Sequence, residues 1–240
     1  MSHQGVVVVG TDTDAGKTMV SAALVAGLRQ AGVPAGYLKP LASECAMGPG
    51  GPVSPDVALL HRLVGLDEPL PSLNPVCLRA PLSPLAAARE EGVELSLAAS
   101  LAACRKFLAG QEFGVIEGVG GLLVPIAPGA TFRELAVQLG LPVVLAARPG
   151  LGTINHTLLT LEALWRAGLA VVGFVFSHTR PADPGDPSVK ENHALIAEYG
   201  GAPFLGALPY LGPREQISGQ ALNQAVRDNL DMSPVLELVR

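Results

Sequence analysis

The chain has 240 residues, 49% of them hydrophobic and 15% charged, with a formal net charge of −5. That is enough chain for one large domain or two small ones with a substantial core, and it is too apolar for a disordered polymer. The acidic balance argues against a nucleic-acid surface, and no apolar run reaches the roughly 18–20 residues that span a bilayer.

The first strand is expected at Val6-Val7-Val8-Val9, so close to the start that it leaves no room for a signal peptide. Gly10-Thr11-Asp12-Thr13-Asp14-Ala15-Gly16-Lys17-Thr18 follows, and a helix is expected over residues 19–30, where Val20, Ala23, Leu24 and Leu28 recur at helical spacing. Strand, glycine-bounded loop, Gly-Lys-Thr and helix in that order are the layout of a phosphate-binding loop. The N–H groups of a helix's first turn have no intrahelical partner, and that end of the helix carries partial positive charge. Lys17 adds a full charge, and the Thr18 hydroxyl is of the kind that ligates Mg²⁺. Thr11 stands where the strict motif has its first glycine. Only four of the 16 basic residues are lysines. In an arginine-rich chain, a lysine within a motif points to use of its compact charge.

Ala35–Leu38 reads as a second strand, and Pro40 keeps Lys39 extended at its C-terminal edge, where open parallel sheets bind ligands. Residues 42–55 read as loop, with Ser43 placed to donate to a substrate. Asp56 opens a helix, where a carboxylate serves equally well as an N-terminal cap or as a metal ligand. Residues 66–85, with five prolines, read as an ordered irregular segment, and 95–108 as a helix. Gly114-Val115-Ile116-Glu117-Gly118-Val119-Gly120-Gly121 repeats the opening logic: an apolar strand ends in an acid and a glycine-rich turn. A buried acid at a strand tip is costly without a metal or donors, and P-loop proteins hold Mg²⁺ there.

A helix over 131–139 and a buried strand over 142–147 come next. Pro149–His156 is a second glycine-rich strand-to-helix turn, with Thr153 or Asn155 as cap, a helix from Thr157, and free N–H groups suited to a carboxylate. His156 reads as a satisfied structural histidine. Strands at 171–176 and 204–209 flank an exposed loop at 180–187 and a helix at 192–199, and two short helical stretches near 224–230 and 234–238 end the chain. Cys45, Cys77 and Cys104 are widely spaced and fit no metal-ligand pattern, which suggests a reducing, cytoplasmic setting and no zinc site. Continuous apolar strands alternating with helices predict one α/β domain over residues 1–240: a doubly wound, mostly parallel sheet of about six strands with helices on both faces.

Four motifs agree in order and spacing: Gly10 to Thr18, Lys39-Pro40-Leu41-Ala42-Ser43, Glu117 to Gly121, and Gly152-Thr153-Ile154-Asn155-His156-Thr157. Together they resemble dethiobiotin synthetase, a P-loop ATP-dependent ligase family, over about residues 5–212. The resemblance implies that ATP and 7,8-diaminononanoate are taken with CO₂, through a carbamate and its mixed anhydride with phosphate. It implies that Asp14, Ala15, Gly16, Lys17, Thr18 and Met19 wrap the phosphates and that Thr18, Asp56 and Glu117 hold Mg²⁺. Glu117, Gly118, Val119 and Gly120 edge the nucleotide, with Ser177, His178, Leu208, Pro209 and Tyr210 near its base. Lys39 and Ser43 contact the diamine and its carbamate, with Lys17 bridging toward the γ-phosphate; Lys17 and Lys39 are the catalytic pair. The family's homodimer brings Gly152, Thr153, Ile154 and Asn155 of one subunit to the carboxylate of substrate held by the other.

Three departures stand out. Ser177 replaces an asparagine that often reads adenine, leaving base preference open. Leu85 replaces a histidine common in the family, and Val119 replaces an alanine. Two rival readings remain. A cobyrinate-type amidase of the same superfamily would need a glutaminase cysteine with its histidine, which the sequence does not supply. A partitioning ATPase carries an extra lysine early in the loop, where this chain has Asp12.

Overall fold

The computed structural model describes residues 5–48, 51–181, 185 and 187–239. In chain order the elements are β1 (Gly5–Gly10), α1 (Lys17–Gln30), β2 (Ala35–Leu38), β3 (Leu41–Ala42), β4 (Ala46–Gly48), β5 (Gly51–Val53), α2 (Pro55–Val64), α3 (Leu70–Leu73) and β6 (Val76–Cys77). Then follow α4 (Pro84–Glu91), α5 (Leu97–Ala109), β7 (Phe113–Glu117), β8 (Pro125–Ala127), β9 (Ala130–Thr131), α6 (Phe132–Leu139), β10 (Val143–Ala147) and α7 (Thr153–Arg166). Last come β11 (Val171–Ser177), α8 (Ser188–Gly200), β12 (Phe204–Leu208), α9 (Gly219–Asn229) and α10 (Ser233–Leu236), with 3₁₀ turns at Arg214–Gln216 and Glu237–Val239.

Six strands form one sheet in the order β12-β11-β10-β1-β7-β2, and every pairing is parallel. This is the expected doubly wound α/β architecture. The period of two along β1 sends Val6 and Val8 to one face and Val7 and Val9 to the other. Both pairs are buried: the first against α1, α2 and α9, the second against residues from α4 to α8. With water excluded from both faces, an unbroken valine run is the stable composition. β1 lies between β7 and β10, where the chain order reverses across the sheet. Its register sets Val8 beside Glu117 and Gly10 beside Ala146, so the loops leaving β1, β7 and β10 emerge together at the carboxyl edge.

Several expectations need correction. The segment read as loop over 42–55 contains the antiparallel β4/β5 pair, and α4 follows the proline-rich stretch, with Pro84 in its first turn, where a missing N–H costs nothing. α7 starts at Thr153, four residues before the expected Thr157. Gly152 adopts a left-handed conformation (φ 90°) at its N-cap, and no side chain caps the helix, so neither Thr153 nor Asn155 has the capping role. His156, read as a satisfied structural histidine, is exposed. The expected loop over 180–187 includes 182–184 and 186, outside the described residues.

The cysteines also differ from expectation. The parallel β3/β6 ladder, with Cys45 N–H donating to Leu78 O at 2.9 Å, brings Cys45 and Cys77 together with Cα atoms 5.9 Å apart, and the two are joined in a disulfide. Thirty-two residues of separation hid a contact made by strand pairing. Cys104 is a buried free thiol, pushed up to about 12 by burial. No helix among the described residues is long and apolar enough to cross a membrane.

Candidate active site

The phosphate-binding loop bends through two left-handed residues, Asp14 (φ 57°) and Gly16 (φ 85°). At Gly16 a side chain is excluded twice, by this φ and by Ser177, which a Cβ would overlap. α1 starts directly after Gly16 with no side-chain cap. The first-turn N–H groups of Lys17, Thr18 and Met19 are therefore left to an anion. Lys17 folds back over the loop, its Nζ donating to Asp12 O at 3.0 Å. Burial, then the nearby Lys39, lowers its pKa to about 8, with Glu117, Asp56 and Asp14 opposing. An ammonium in that state gains most from an arriving polyanion.

Below the loop lies a connected polar network in an otherwise apolar sheet. Glu117, with no solvent exposure, ends β7. Its Oε1 accepts from Thr18 Oγ1 (2.9 Å) and Lys39 Nζ (2.7 Å), and its Oε2 accepts from the Tyr37 hydroxyl (2.8 Å). Lys39 follows β2 and bridges Glu117 to Asp56 Oδ2 (2.5 Å), and Asp56 Oδ1 accepts from Arg214 (2.9 Å). Burial alone would lower the Lys39 pKa, but the Glu117 and Asp56 carboxylates outweigh it and hold the ammonium above its ordinary range. Burial would likewise raise Asp56; Lys39 and then Arg214 win, keeping it well below the usual carboxylate range.

The backbone around Lys39 is itself anchored. Lys39 N–H donates to Leu73 O, and the buried Asn74 Nδ2 donates to Lys39 O at 2.7 Å, a carbonyl that the Pro40 break takes out of the sheet ladder. Arg62 on α2 grips the Arg214 and Ile217 carbonyls at 2.6 Å each, tying the segment after β12 to the helix that carries Asp56.

A cavity of about 1100 Å³ opens over this network. Its walls include Asp14, Gly16, Lys17, Thr18, Met19, Lys39, Ser43, Asp56, Val119, Gly120, Ser177, His178, Pro209 and Tyr210. The sequence-derived residues for phosphate and base and most of those for metal and diamine thus share one cleft; Glu117 does not line it and lies fully buried beneath, reached through Thr18 and Lys39. Ala15, Gly118 and Leu208 are buried and shape the loops instead of lining the cavity. Burial also lowers the His178 pKa.

Gly152 and Thr153 are not in that cleft. They border a second cavity of about 390 Å³ with Arg148, His156 and Arg180, separated from the first by a shared wall of His178, Thr179 and Arg180. Ile154 and Asn155 line neither. Tyr37, Asn74, Arg180 and Arg214 were missed in the sequence. Tyr37 looks like ordinary strand filling, and Arg214 lies 158 residues from Asp56, its partner.

Thr18, Asp56 and Glu117 offer only oxygen donors, which suits Mg²⁺. Asp56 and Glu117 already converge on one cation, the Lys39 ammonium, so the pair is oriented for positive charge. Among the described residues no group of three or more His, Cys, Asp or Glu could hold a metal ion. An ion here would draw its remaining ligands from nucleotide oxygens and water, as Mg²⁺ commonly does.

A family profile described as an AAA domain matches residues 4–218. An ATP-dependent dethiobiotin synthetase from Anaeromyxobacter dehalogenans is 47% identical over 207 residues, 86% of this chain and 90% of that protein. Proteins of the same description from Cellvibrio japonicus (38% identical, 99% and 100% covered) and Pseudomonas aeruginosa (39%, 95% and 96%) match nearly end to end. Among solved structures, the cell division ATPase MinD of Pyrococcus furiosus superposes with a TM-score of 0.51 at 15% identity, covering 94% of this chain and 97% of that one. The MinC:MinD complex of Aquifex aeolicus gives 0.51 at 13% identity, covering 93% and 94%. At that identity the superpositions speak to the fold alone.

Proposed function

The chain belongs to the ATP-dependent dethiobiotin synthetase family and is an ATP-dependent ligase of biotin synthesis; we propose that Lys17, Lys39, Thr18, Asp56 and Glu117 carry that reaction in the larger cleft. The observation that carries this reading is the convergence there of an uncapped helix start, two buried lysines and two carboxylates.

One amine of 7,8-diaminononanoate combines with CO₂ and loses a proton to become a carbamate. A carbamate oxygen attacks the γ-phosphorus of ATP, and ADP leaves. The second amine attacks the carbonyl carbon of the resulting mixed anhydride and loses a proton, phosphate leaves, and the ureido ring closes. Lys17 and the N–H groups of Thr18 and Met19 bind the phosphate oxygens on which negative charge gathers. Lys39 and Ser43 hold the carbamate against that phosphate, which converts a bimolecular step into an internal one. Mg²⁺, held by Thr18, Asp56 and Glu117, would supply charge neutralisation at the phosphate oxygens. The substrate's amines and the carbamate oxygen are the nucleophiles, so the reading needs no activated serine or cysteine.

The nucleotide base is proposed to lie between Ser177-His178 and Pro209-Tyr210, all on the cleft wall. Residues 1–240 are read as one domain, supported by a single six-stranded sheet covered on both faces; one cooperative melting transition is expected. A homodimer is proposed in which Gly152–Asn155 meets the carboxylate of substrate held by the other subunit. Its support is the uncapped start of α7 and the 90% exposed Leu151 beside it. A monomer in sedimentation velocity at assay concentration would remove that proposal. The proposed setting is the cytoplasm, supported by the demand for ATP. The Cys45–Cys77 disulfide stands against a reducing compartment, where such bonds are rare.

The deciding assay is phosphate release from Mg·ATP, with and without diaminononanoate and bicarbonate. Release should require the diamine and yield dethiobiotin by mass. Turnover indifferent to the diamine overturns the proposal.

A further inference from the structure

Tyr37 has no solvent exposure and lies in an apolar cluster with Val6, Val8, Leu24, Phe113 and Val115. Phenylalanine would fill such a position equally well. The hydroxyl needs a partner once buried, and the partner it has is Glu117 Oε2, at 2.8 Å. The register explains the pairing. β2 and β7 run parallel with Tyr37 opposite Val115 and Leu38 opposite Ile116, so Glu117 comes level with Lys39. Tyr37 and Lys39, two residues apart, point to the same face. They hold opposite oxygens of one carboxylate: Lys39 takes Oε1, shared with Thr18, and Tyr37 takes Oε2.

We propose that Tyr37 is a positioning residue for the nucleotide–cation site, fixing the Glu117 carboxylate by Oε2 so that Oε1 is the oxygen turned to Thr18 and the cation. The inference rests on the reading of Thr18, Asp56 and Glu117 as the Mg²⁺ set. The terminal torsion of glutamate has a broad, two-fold profile, so the carboxylate plane is set by its hydrogen bonds and not by its own rotamer. Thr18 and Lys39 both act on Oε1 and leave rotation about that oxygen open. Tyr37, held from the sheet interior, closes it. Partners of this kind typically change metal affinity by one to two orders of magnitude when removed.

The test uses the full chain and its Tyr37→Phe variant, with ADP affinity measured calorimetrically across a MgCl₂ titration and in EDTA. The variant should need roughly tenfold more Mg²⁺ for the same gain in ADP affinity, while its affinity in EDTA stays within about twofold of the parent. A merely structural hydroxyl would lower the melting temperature without moving the Mg²⁺ requirement. Placing p-aminophenylalanine at position 37 restores a donor at the same place and should return the Mg²⁺ requirement toward the parent's. It also serves if the phenylalanine variant does not fold, since a folded amino variant with a displaced Mg²⁺ requirement counts against the proposal. Asp56→Asn, which lies outside the Tyr37 contact, separates the two readings. A shift in Asp56→Asn without one in Tyr37→Phe overturns the role of Tyr37 alone. No shift in either overturns the metal reading, and the role of Tyr37 with it.

Discussion

Lys39→Met tests whether the network under the phosphate loop is held together by one ammonium. Methionine keeps most of the aliphatic stem and removes the charge. Glu117, fully buried, would retain only the Thr18 and Tyr37 hydroxyls, and Asp56 would retain only Arg214. Removing one partner of a buried ion pair typically costs about 3–5 kcal/mol, most of it the penalty of the charge left behind. A chain of 240 residues has an unfolding entropy near ~0.5 kcal/mol/K, so that loss lowers the melting temperature by roughly 6–10 °C.

The sign of the pH dependence follows from Asp56. Its pKa is depressed in the folded chain from an ordinary 3.8, chiefly because Lys39 outweighs burial. The stabilisation is therefore present above about pH 4 and is lost as pH falls through the lower folded value. The Asp56 share of the parent–variant gap should be full at pH 7 and shrink on acidification below pH 4. Adding Glu117→Gln should recover part of the loss, because the amide needs no cation. Calorimetric or fluorescence melting of the three proteins reads all of this, with phosphate release expected to vanish in Lys39→Met. A melting temperature within about 1 °C of the parent at pH 7 would refute the reasoning, because the network would then tolerate a fully buried carboxylate with no cation beside it.

Two further outcomes are expected. Burial and Lys39 bring Lys17 to about 8 in the free chain, so the charged form carries a stability penalty at neutral pH that is relieved as pH rises from 8 toward 10.5. Nucleotide phosphates reverse that preference, so binding should take up about half a proton at pH 8 and affinity should fall by up to about tenfold per pH unit above it. Calorimetry in buffers of different ionisation enthalpy measures the uptake, and a binding enthalpy independent of buffer at pH 8 contradicts it. The Cys45–Cys77 bond closes a separation of 32 residues, which in the chain-entropy account is worth roughly 3–4 kcal/mol. Reduction should lower the melting temperature by about 6–8 °C without unfolding the chain at 25 °C. Three titratable thiols in the unreduced, denatured protein would show that the bond does not form.

Much of this molecule was legible from local rules. β1 holds four valines in a row, and α1 starts directly after Gly16 with Lys17-Thr18 as its first residues. The six parallel strands were visible as apolar runs because a sheet covered on both faces tolerates no polar alternation. Lys39 was marked by the proline after it, and Glu117 by the glycine turn that follows an apolar strand. The misses share a cause. The β4/β5 pair, α4 and the early start of α7 involve glycine, proline or short polar stretches, where local preference is weak and packing decides.

The amino-acid order by itself determined the alternation of strand and helix, the phosphate loop and the residues at strand tips, because each depends on spacing within about ten positions. Tertiary structure decided who meets whom. It set Tyr37 and Lys39 on opposite oxygens of Glu117, brought Arg214 to Asp56, joined Cys45 to Cys77, and put Gly152 on a neighbouring cavity. Those contacts depend on strand register and on crossovers of tens of residues, and a buried charge can be satisfied only by whatever the register carries to it.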